Sequence, residues 1–349
     1  MKIAIVTDAW HPQVNGVVRT LTNLTRELKR MGHELHLITP DQFPTVPCPR
    51  YPEIRLAWWN LHLVGRRLHQ FRPDAIHIST EGPLGFAARR FCLAQNLPFT
   101  TAYHTRLPEY VQAKALIPSA LTYALIRRFH AFSRAVMVPT PSMQEELEKR
   151  GFGRIRQWTR GVDTSLFRPR QREELTLVSP EILALPQPVF LCVGRVSGEK
   201  NLAAFLSLPL PGSKLIVGDG PDMRLFMRRF GDTHFVGAKH GEALAQHYSL
   251  ASVFVFPSLS DTFGNVVLEA LASGVPVAAF PVTGPKDIIG DTRVGCLSSD
   301  LLHASMEALH IDRRLCRQFA ERKTWSHCAE QFFANLAPIA RTRQLQPAA

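Results

Sequence analysis

Two carboxylates and a glycine turn lie at the predicted start of an apolar helix. Asp261 and Glu269 stand on either side of the turn formed by residues 263–265, and the apolar runs before and after them are typical of buried strands. The first turn of a helix presents backbone N–H groups without intrahelical partners and a partial positive charge, so phosphate binds there readily. These residue types predict a site for a ligand that carries both phosphate and hydroxyl groups.

A second candidate loop carries two cations. Arg195 and Lys200 lie in a glycine-containing loop that follows the apolar run 189–193 and precedes a short helical stretch. Fixed cations beside the N–H groups of a helix start bind a diphosphate through charge-assisted hydrogen bonds. A surface loop with two ordinary charges would have the same sequence, so this loop alone leaves both interpretations open.

The first half of the chain offers two further positions, each after a predicted strand. Gly16 opens a helix where a ligand approaching the backbone closely would require a glycine. His104 directly follows a strand, at the edge where ligand-binding residues gather in parallel sheets. A simple turn glycine and an ordinary loop histidine explain these positions equally well.

Apolar runs alternate with helical stretches along the whole chain, which predicts an α/β fold with parallel sheets. Ser142 is the predicted N-cap of one helix, with Glu145 completing a capping box. The predicted strands span residues 2–7, 34–39, 75–79, 99–103, 135–139, 189–193, 214–217, 253–257 and 277–280, and the predicted helices span 17–31, 83–95, 118–132, 142–150, 242–249, 301–309, 313–321 and 326–336.

A polar segment interrupts this alternation after residue 158 and predicts a link between two domains. We expect a first domain over residues 1–165 and a second over residues 166–325. Residues 326–349 are expected to form a final helix that packs back on the first domain, followed by a frayed tail.

The net charge of +12 is concentrated in the first half of the chain. Residues 1–170 carry 24 Lys and Arg against 12 Asp and Glu, whereas residues 171–349 carry 17 of each sign. Arginine doublets interleaved with aromatic residues suggest an anionic partner, either nucleic acid or an anionic membrane surface. A basic face that serves only solubility fits the same charges. The doublets are Arg66 and Arg67, Arg89 and Arg90, and Arg127 and Arg128.

Several classes of protein are disfavoured by the sequence. The apolar run at the N-terminus is too short for a signal peptide, and no apolar run approaches the length of a membrane span. The six cysteines lack CxxC spacing, which predicts reduced thiols in the cytoplasm rather than disulfides or zinc ligands. No G-x-G-x-x-G motif follows the first strand, which argues against a nicotinamide dehydrogenase. No nucleic-acid recognition motif accompanies the basic charge, and no Asp-x-Asp pair offers the usual metal signature.

Seven motifs follow one another along the chain, at residues 8–16, 103–105, 138–142, 160–163, 194–201, 218–221 and 260–274. In order and spacing they resemble the family-4 retaining glycosyltransferases of the GT-B fold, over nearly the whole chain. The resemblance extends to bacterial GDP-mannose-dependent α-mannosyltransferases and to sulfoquinovosyl transferases that act on membrane lipids. It implies two Rossmann-like domains with parallel sheets facing across a cleft, the first for the acceptor and the second for the nucleotide sugar.

The resemblance also implies roles in the donor site. Glu269 would bind ribose hydroxyls, Asp261 the hydroxyls of the donor sugar, and Arg195 and Lys200 the diphosphate. The family's first carboxylate is Glu, so Asp261 is one methylene shorter and its choice of hydroxyl is not carried over. The other implied donor-binding residues are Gly16, near the phosphates, and Phe263, Gly264 and Asn265, whose turn touches sugar and phosphate.

At the reacting centre, the resemblance implies that His104 lies beside the donor sugar. The segment after Asn201 is compact, which predicts one short helix in the second domain.

For the site as a whole, we predict a catalytic set, an acceptor-side set and no metal ligands. The catalytic set is His104, Arg195, Lys200 and Asp261, and the acceptor-side set is Asn15, Tyr103 and Glu109.

The expected activity is metal-independent, retaining transfer of a hexose, best matched by mannose from GDP-mannose, to a lipid or glycolipid. The alternative is a UDP-sugar donor (glucose, glucuronate or sulfoquinovose) with diacylglycerol or an envelope glycan as acceptor. No cofactor and no nucleic-acid partner are expected. The enzyme would be cytoplasmic or peripheral on the inner membrane face, where Arg66, Arg67, Arg127 and Arg128 would contact anionic lipid.

Overall fold

The computed structural model divides into two compact units. The first contains Met1–Thr159 and the chain from Trp325 onward, and the second contains Arg160–Thr324. The division falls a few residues before the predicted end of the first domain, because Val162 already belongs to the second unit. Its N–H donates to the carbonyl of Lys323 (2.9 Å), and its side chain packs in that unit's core. The structure describes residues 1–13, 15–48, 51–109 and 118–340.

The first unit is built on a parallel sheet covered by helices. Its strands are β1 (Lys2–Val6), β2 (Glu34–Ile38), β3 (Thr45–Cys48), β4 (Tyr51–Ala57), β5 (Ala75–Ile78), β6 (Thr100–Ala102), β7 (Val136–Val138) and β8 (Ile155–Gln157). Its helices are α1 (Gly16–Arg30), α2 (His62–Phe71), α3 (Pro83–Ala94), α4 (Ser119–His130) and α5 (Pro141–Lys149).

In the described part of this unit, six strands form one sheet in the order β2-β1-β5-β6-β7-β8, and every neighbouring pair is parallel. Ile, Val and Ala make up most of β1 and β5, because both faces of a parallel sheet are covered. The antiparallel hairpin of β3 and β4 is not predicted from the sequence, because β3 is largely exposed and has no buried apolar run.

The second unit repeats the same architecture. Its strands are β9 (Val189–Val193), β10 (Ser213–Val217), β11 (Thr233–Phe235), β12 (Val253–Phe256), β13 (Val277–Ala279) and β14 (Gly295–Leu297). Its helices are α6 (Pro180–Leu183), α7 (Leu202–Leu206), α8 (Met223–Arg229), α9 (Gly241–Leu250), α10 (Asn265–Ala272), α11 (Pro285–Ile288), α12 (Leu301–Ala308) and α13 (Arg313–Glu321).

Among the described residues of the second unit, six strands pair in parallel in the order β11-β10-β9-β12-β13-β14. The predicted α/β fold with two parallel sheets is confirmed. The predicted short helix after Asn201 is α7, five residues long. The strand order reverses beside β9, and such reversals open a crevice at the carboxyl ends of the strands.

The predicted N-cap of α5 is wrong by two residues. Thr140, not Ser142, is the N-cap, and its hydroxyl accepts the N–H of Met143 (3.2 Å). Pro141 follows at the first helical position, where its fixed φ and missing N–H fit the helix start. The capping box with Glu145 therefore does not form, since a box needs the acidic residue three positions after the cap.

The last helix, α14 (Trp325–Asn335), packs on the first unit. Trp325 and Phe332 lie in the same buried cluster as Leu21 of α1 and Trp158. The described residues after α14 also stay with this unit, because the N–H of Ile339 donates to the carbonyl of Asp74 (2.7 Å). The predicted frayed tail after residue 340 lies outside the described residues.

Candidate active site

Two glycine loops of the second unit interlock through their backbones. Gly194 follows β9 and Gly218 follows β10, and a Cβ on Gly218 would lie 1.8 Å from the carbonyl oxygen of Gly194. Only glycine permits that approach, and Gly218 also has a φ of +156°. The N–H of Val196 donates to the carbonyl of Asp219 (3.0 Å). The loop that carries Arg195 and Lys200 is therefore fixed at the sheet's carboxyl edge.

Lys200 meets the first carboxylate at this edge. Its Nζ donates to Oδ1 of Asp261 across 2.6 Å, and both side chains are about three-quarters buried, with 25% and 21% exposed. Asn201, the next residue, donates from Nδ2 to the carbonyl of Pro257 (3.1 Å). Because β9 and β12 are neighbours in the sheet, the loops that follow them bring these residues together.

The glycine turn lies at the start of α10, as predicted. Gly264 has a φ of +88°, in the left-handed region that favours glycine, and it precedes the first helical residue, Asn265. Phe263 is buried in the core of the unit, so its side chain anchors the turn. A Cβ on Gly284 would lie 2.5 Å from the carbonyl oxygen of Phe263, so the loop after β13 packs directly on the turn. The backbone of this turn is therefore held from both sides.

Glu269 lies one helical turn further along α10 and is only 3% exposed. Its Oε2 accepts a hydrogen bond from the hydroxyl of Tyr248 (3.0 Å), a residue of the neighbouring helix α9. The sequence does not single out Tyr248, because an aromatic residue at helical spacing is normally a core residue. The hydrogen bond shows that its polar end has a specific partner.

In the first unit, Tyr103 and His104 are the two residues that follow the strand β6. His104 is 9% exposed, and its ring packs edge-on against Trp158 with centroids 5.5 Å apart. Tyr103 is completely buried, in ring contact with Phe152, and this burial raises the pKa of its phenol. The side chain of Tyr103 is therefore part of the core, and an acceptor cannot reach it in this structure.

The other acceptor-side residues are held by polar contacts. Glu109 accepts the hydroxyl of Tyr123 (2.5 Å) and pairs with Arg106 (3.7 Å). Asn15 is the N-cap of α1, and its Oδ1 accepts the N–H groups of Val17 and Val18, each across 3.0 Å. The structure thus gives Asn15 a capping role.

Gly16 is the first residue of α1, where its carbonyl accepts the hydroxyl of Thr20 (2.8 Å). The predicted site residues are divided between the two units. Arg195, Lys200, Asp261, Phe263, Gly264, Asn265 and Glu269 belong to the second unit, and Asn15, Gly16, Tyr103, His104 and Glu109 belong to the first.

Asp8 follows β1 in the first unit and has a structural role. Its carboxylate accepts the N–H groups of Leu84 (2.9 Å) and Gly85 (3.3 Å) at the start of α3, and the hydroxyl of Thr80 (2.9 Å). Burial raises the pKa of Asp8 to about 6 although these hydrogen bonds oppose the rise, and the charge of Glu81 adds to it. Asp8 thus holds α3 against the sheet.

Comparison with known proteins decides the family. The model of Glycosyltransferase Family 4 matches residues 14–166, and the model of Glycosyl transferases group 1 matches residues 187–310. A GDP-mannose-dependent alpha-mannosyltransferase of Mycobacterium tuberculosis is 31% identical over 320 residues, which cover 85% of this chain and 83% of that protein. The chain belongs to glycosyltransferase family 4.

Other relatives of this glycosyltransferase differ in their named donors and acceptors. The sulfoquinovosyl transferase of Arabidopsis thaliana is 30% identical, covering 81% of this chain and 60% of that protein. The alpha-monoglucosyldiacylglycerol synthase of Streptococcus pneumoniae is 27% identical, covering 95% and 83%.

Solved structures agree on the fold. The sucrose-phosphate synthase of Thermosynechococcus elongatus matches with a TM-score of 0.76 at 19% identity, covering 95% of the glycosyltransferase and 97% of that chain. Anabaena HepE, solved with UDP and glucose, matches with a TM-score of 0.71 at 15% identity, covering 96% and 98%. The predicted GT-B class, with two Rossmann-like domains, is confirmed.

Proposed function

We propose that this glycosyltransferase moves a hexose from a nucleotide sugar to a lipid or glycolipid, without a metal ion and with retention of anomeric configuration. The observation that carries the proposal is the grouping of Lys200, Asp261 and Glu269 around the start of α10. This grouping offers a cation and a helix start for a diphosphate, and two carboxylates for hydroxyl groups.

The second unit has the charges that the reaction requires. When the bond between the sugar and the diphosphate breaks, negative charge develops on the leaving phosphate. Arg195, Lys200 and the backbone N–H groups at the start of α10 stabilise that charge. The acceptor hydroxyl forms the new bond to the anomeric carbon from the same face, and its proton passes to the leaving phosphate. No protein nucleophile takes part in this proposal.

The two carboxylates have different surroundings, which supports different roles. Glu269 is buried and fixed, as a ribose contact common to all donors would be. Asp261 is partly exposed and paired with Lys200. We assign Asp261 to the donor sugar, where its shorter side chain sets which hydroxyl it reaches. We also propose that His104 lies beside the reacting sugar, and its packing on Trp158 fixes its ring.

Mannose from GDP-mannose is the proposed donor, because the relative at 31% identity carries that donor in its name. The sulfoquinovosyl and monoglucosyldiacylglycerol enzymes among the relatives favour a sulfoquinovose or glucose donor as the second candidate. Both candidate donors would bind to the same residues of the second unit, and they differ from each other in the nucleotide base and in the sugar.

A donor panel tests the proposal. Purified protein is incubated with GDP-mannose, UDP-glucose, UDP-glucuronate or UDP-sulfoquinovose, each with and without bilayers that contain diacylglycerol or phosphatidylinositol, and both nucleotide release and lipid product are measured. We expect transfer from one donor far above the others. Absence of transfer and of hydrolysis with every donor would contradict the proposed function.

We further propose that the first unit contacts an anionic membrane through α4. Leu121 and Leu125 are 65% and 56% exposed on one face of this helix, and Phe132 just after it is 60% exposed. Arg128 lies at the same helical spacing and is exposed. A stripe of apolar side chains with arginine binds the boundary between headgroups and acyl chains. No helix among the described residues is long and apolar enough to cross a membrane.

Two of the arginines named from the sequence have partners within the first unit. Arg67 donates to Gln42, and its guanidinium lies 5.0 Å from the ring centroid of Phe43. Both of these contacts lie within the first unit. Arg127 donates to the carbonyl of Arg150 (3.1 Å). The membrane contact is therefore proposed for the α4 face, with Arg128 as its cation.

Vesicle flotation tests this surface. We expect the protein to float with vesicles that contain phosphatidylglycerol, and to bind pure phosphatidylcholine vesicles much less. Leu121→Glu with Leu125→Glu should abolish flotation, whereas Leu225→Glu, at a leucine of the second unit that is 62% exposed, should not. Equal binding of neutral and anionic vesicles would contradict the proposal.

A further inference from the structure

The aromatic ring that carries the hydroxyl of Tyr248 is held rigidly by its packing. The ring contacts Phe167 edge-on with centroids 5.6 Å apart and Phe254 with centroids 5.7 Å apart, and the side chain is completely buried. Close-packed aromatic rings of this kind do not change rotamer without disturbing their neighbours. The position of the hydroxyl is therefore set by the core of the second unit.

Glu269 receives that hydroxyl at one carboxylate oxygen. The contact is 3.0 Å from Oη of Tyr248 to Oε2 of Glu269, and it joins helix α9 to helix α10. A carboxylate offers about four lone-pair directions on its two oxygens, so Glu269 can accept the hydroxyl of Tyr248 and a hydroxyl of a ligand together. The hydroxyl is a neutral donor, and its hydrogen bond fixes the orientation of the carboxylate.

We infer that Tyr248 is a positioning residue for nucleotide recognition, which holds the carboxylate of Glu269 in the orientation that accepts the ribose hydroxyls of the donor. The inference rests on the proposed function, because it takes the ribose contact of Glu269 from that proposal. A carboxylate fixed before the ligand arrives loses less rotamer freedom on binding, so the donor binds more tightly.

The removal of one hydroxyl isolates this role. Tyr248→Phe keeps the ring and its packing, and Glu269 then loses the donor that orients it. We expect the affinity for ribonucleoside diphosphates to fall about tenfold, as for loss of one hydrogen bond to a charged group. In turnover experiments the KM for the donor should rise while kcat changes much less.

The sharp readout is the preference for ribose. The dissociation constants of GDP and UDP are compared with those of their 2′,3′-dideoxy analogues by calorimetry, in the wild type, Tyr248→Phe, Glu269→Gln and the double variant. The wild type should prefer the ribose form. Tyr248→Phe should lose most of that preference, and the double variant should resemble Glu269→Gln. A structural role alone would weaken both forms equally.

Tyr123→Phe is the matched control. Tyr123 is also a buried tyrosine whose hydroxyl donates to carboxylates, Glu109 and Glu146, but it lies in the first unit. We expect the ribose preference of the Tyr123→Phe variant to equal that of the wild type.

The outcomes separate the two proposals. A wild type that binds neither GDP nor UDP would overturn the proposed function and this inference with it. A wild type that prefers the ribose form, together with a Tyr248→Phe variant of equal preference, would overturn only the role of Tyr248. Failure of Tyr248→Phe to fold would also overturn it, because the hydroxyl would then be a requirement of the fold.

Discussion

Lys200 Nζ and Asp261 Oδ1 lie 2.6 Å apart although 61 positions separate the two residues in the chain. The pair forms because β9 and β12 are neighbours in the parallel sheet and the loops after them end at the same edge. The buried thiol of Cys192 lies within the electrostatic reach of both charges, and its burial raises its pKa to about 12.

Lys200→Ala should nearly abolish transfer while the fold persists. The variant removes one preorganised cation from the leaving phosphate, and such a loss lowers kcat by roughly 100- to 1,000-fold. Steady-state kinetics with the preferred donor measures the change, and circular dichroism checks the fold. Lys149→Ala, at an exposed position at the end of α5, is the charge-matched control. Turnover near the wild-type rate in Lys200→Ala would show that the cation is not at the reacting phosphate.

Asp261 is expected to govern the choice of sugar. Asp261→Asn removes a charged hydrogen-bond acceptor, which corresponds to a loss of about tenfold to 100-fold in kcat/KM. Asp261→Glu restores the longer carboxylate of the family and should change the ratio of kcat/KM between donor sugars more than it changes the best rate. Competition between two labelled donors gives that ratio directly. An unchanged ratio in Asp261→Glu would exclude this residue from sugar selection.

The stability of the first unit should depend on pH through Asp8. Its pKa is raised from 3.8 to about 6 in the folded state, so the folded protein holds the proton more tightly than the unfolded chain. The stabilisation is complete below about pH 4 and is lost as the pH rises through about 6, a change of about 3 kcal/mol.

Urea unfolding of the wild type and of Asp8→Asn between pH 4 and pH 7 measures this effect. The wild type should lose stability relative to Asp8→Asn as the pH rises, because only the wild type must then bury a charge. Asp41→Asn, at an exposed position, should follow the wild type. A difference between wild type and Asp8→Asn that does not vary with pH would contradict the raised pKa.

Transfer should continue after removal of divalent metals. Arg195, Lys200 and the start of α10 supply the positive charge in the proposed reaction, so a chelator should leave kcat unchanged. Activity is measured after dialysis against EDTA and again after addition of Mg²⁺ or Mn²⁺. A loss with EDTA that either metal restores would show that the diphosphate needs an ion in addition to these residues.

The sequence by itself determined the alternation of strands and helices, the two parallel sheets and the residues at the carboxyl ends of their strands. Burial of both sheet faces requires continuous runs of Ile, Val and Ala, and such runs are visible without a structure. The glycines at 218 and 264 are likewise visible as loop residues. Their strict need for glycine, a close backbone approach at Gly218 and a left-handed φ at Gly264, becomes clear only in three dimensions.

Only the tertiary structure decided which side chains meet. A local pattern could not show that Tyr103 and His104 are both buried, because the packing of other segments against the end of β6 determines their environments. Thr140 rather than Ser142 is the N-cap, and this depends on the residue at which strand β7 ends. The pairing of Tyr248 with Glu269 depends on the contact between two helices. Side-chain partners far apart in the chain are set by strand order and helix packing, and the sequence records these only indirectly.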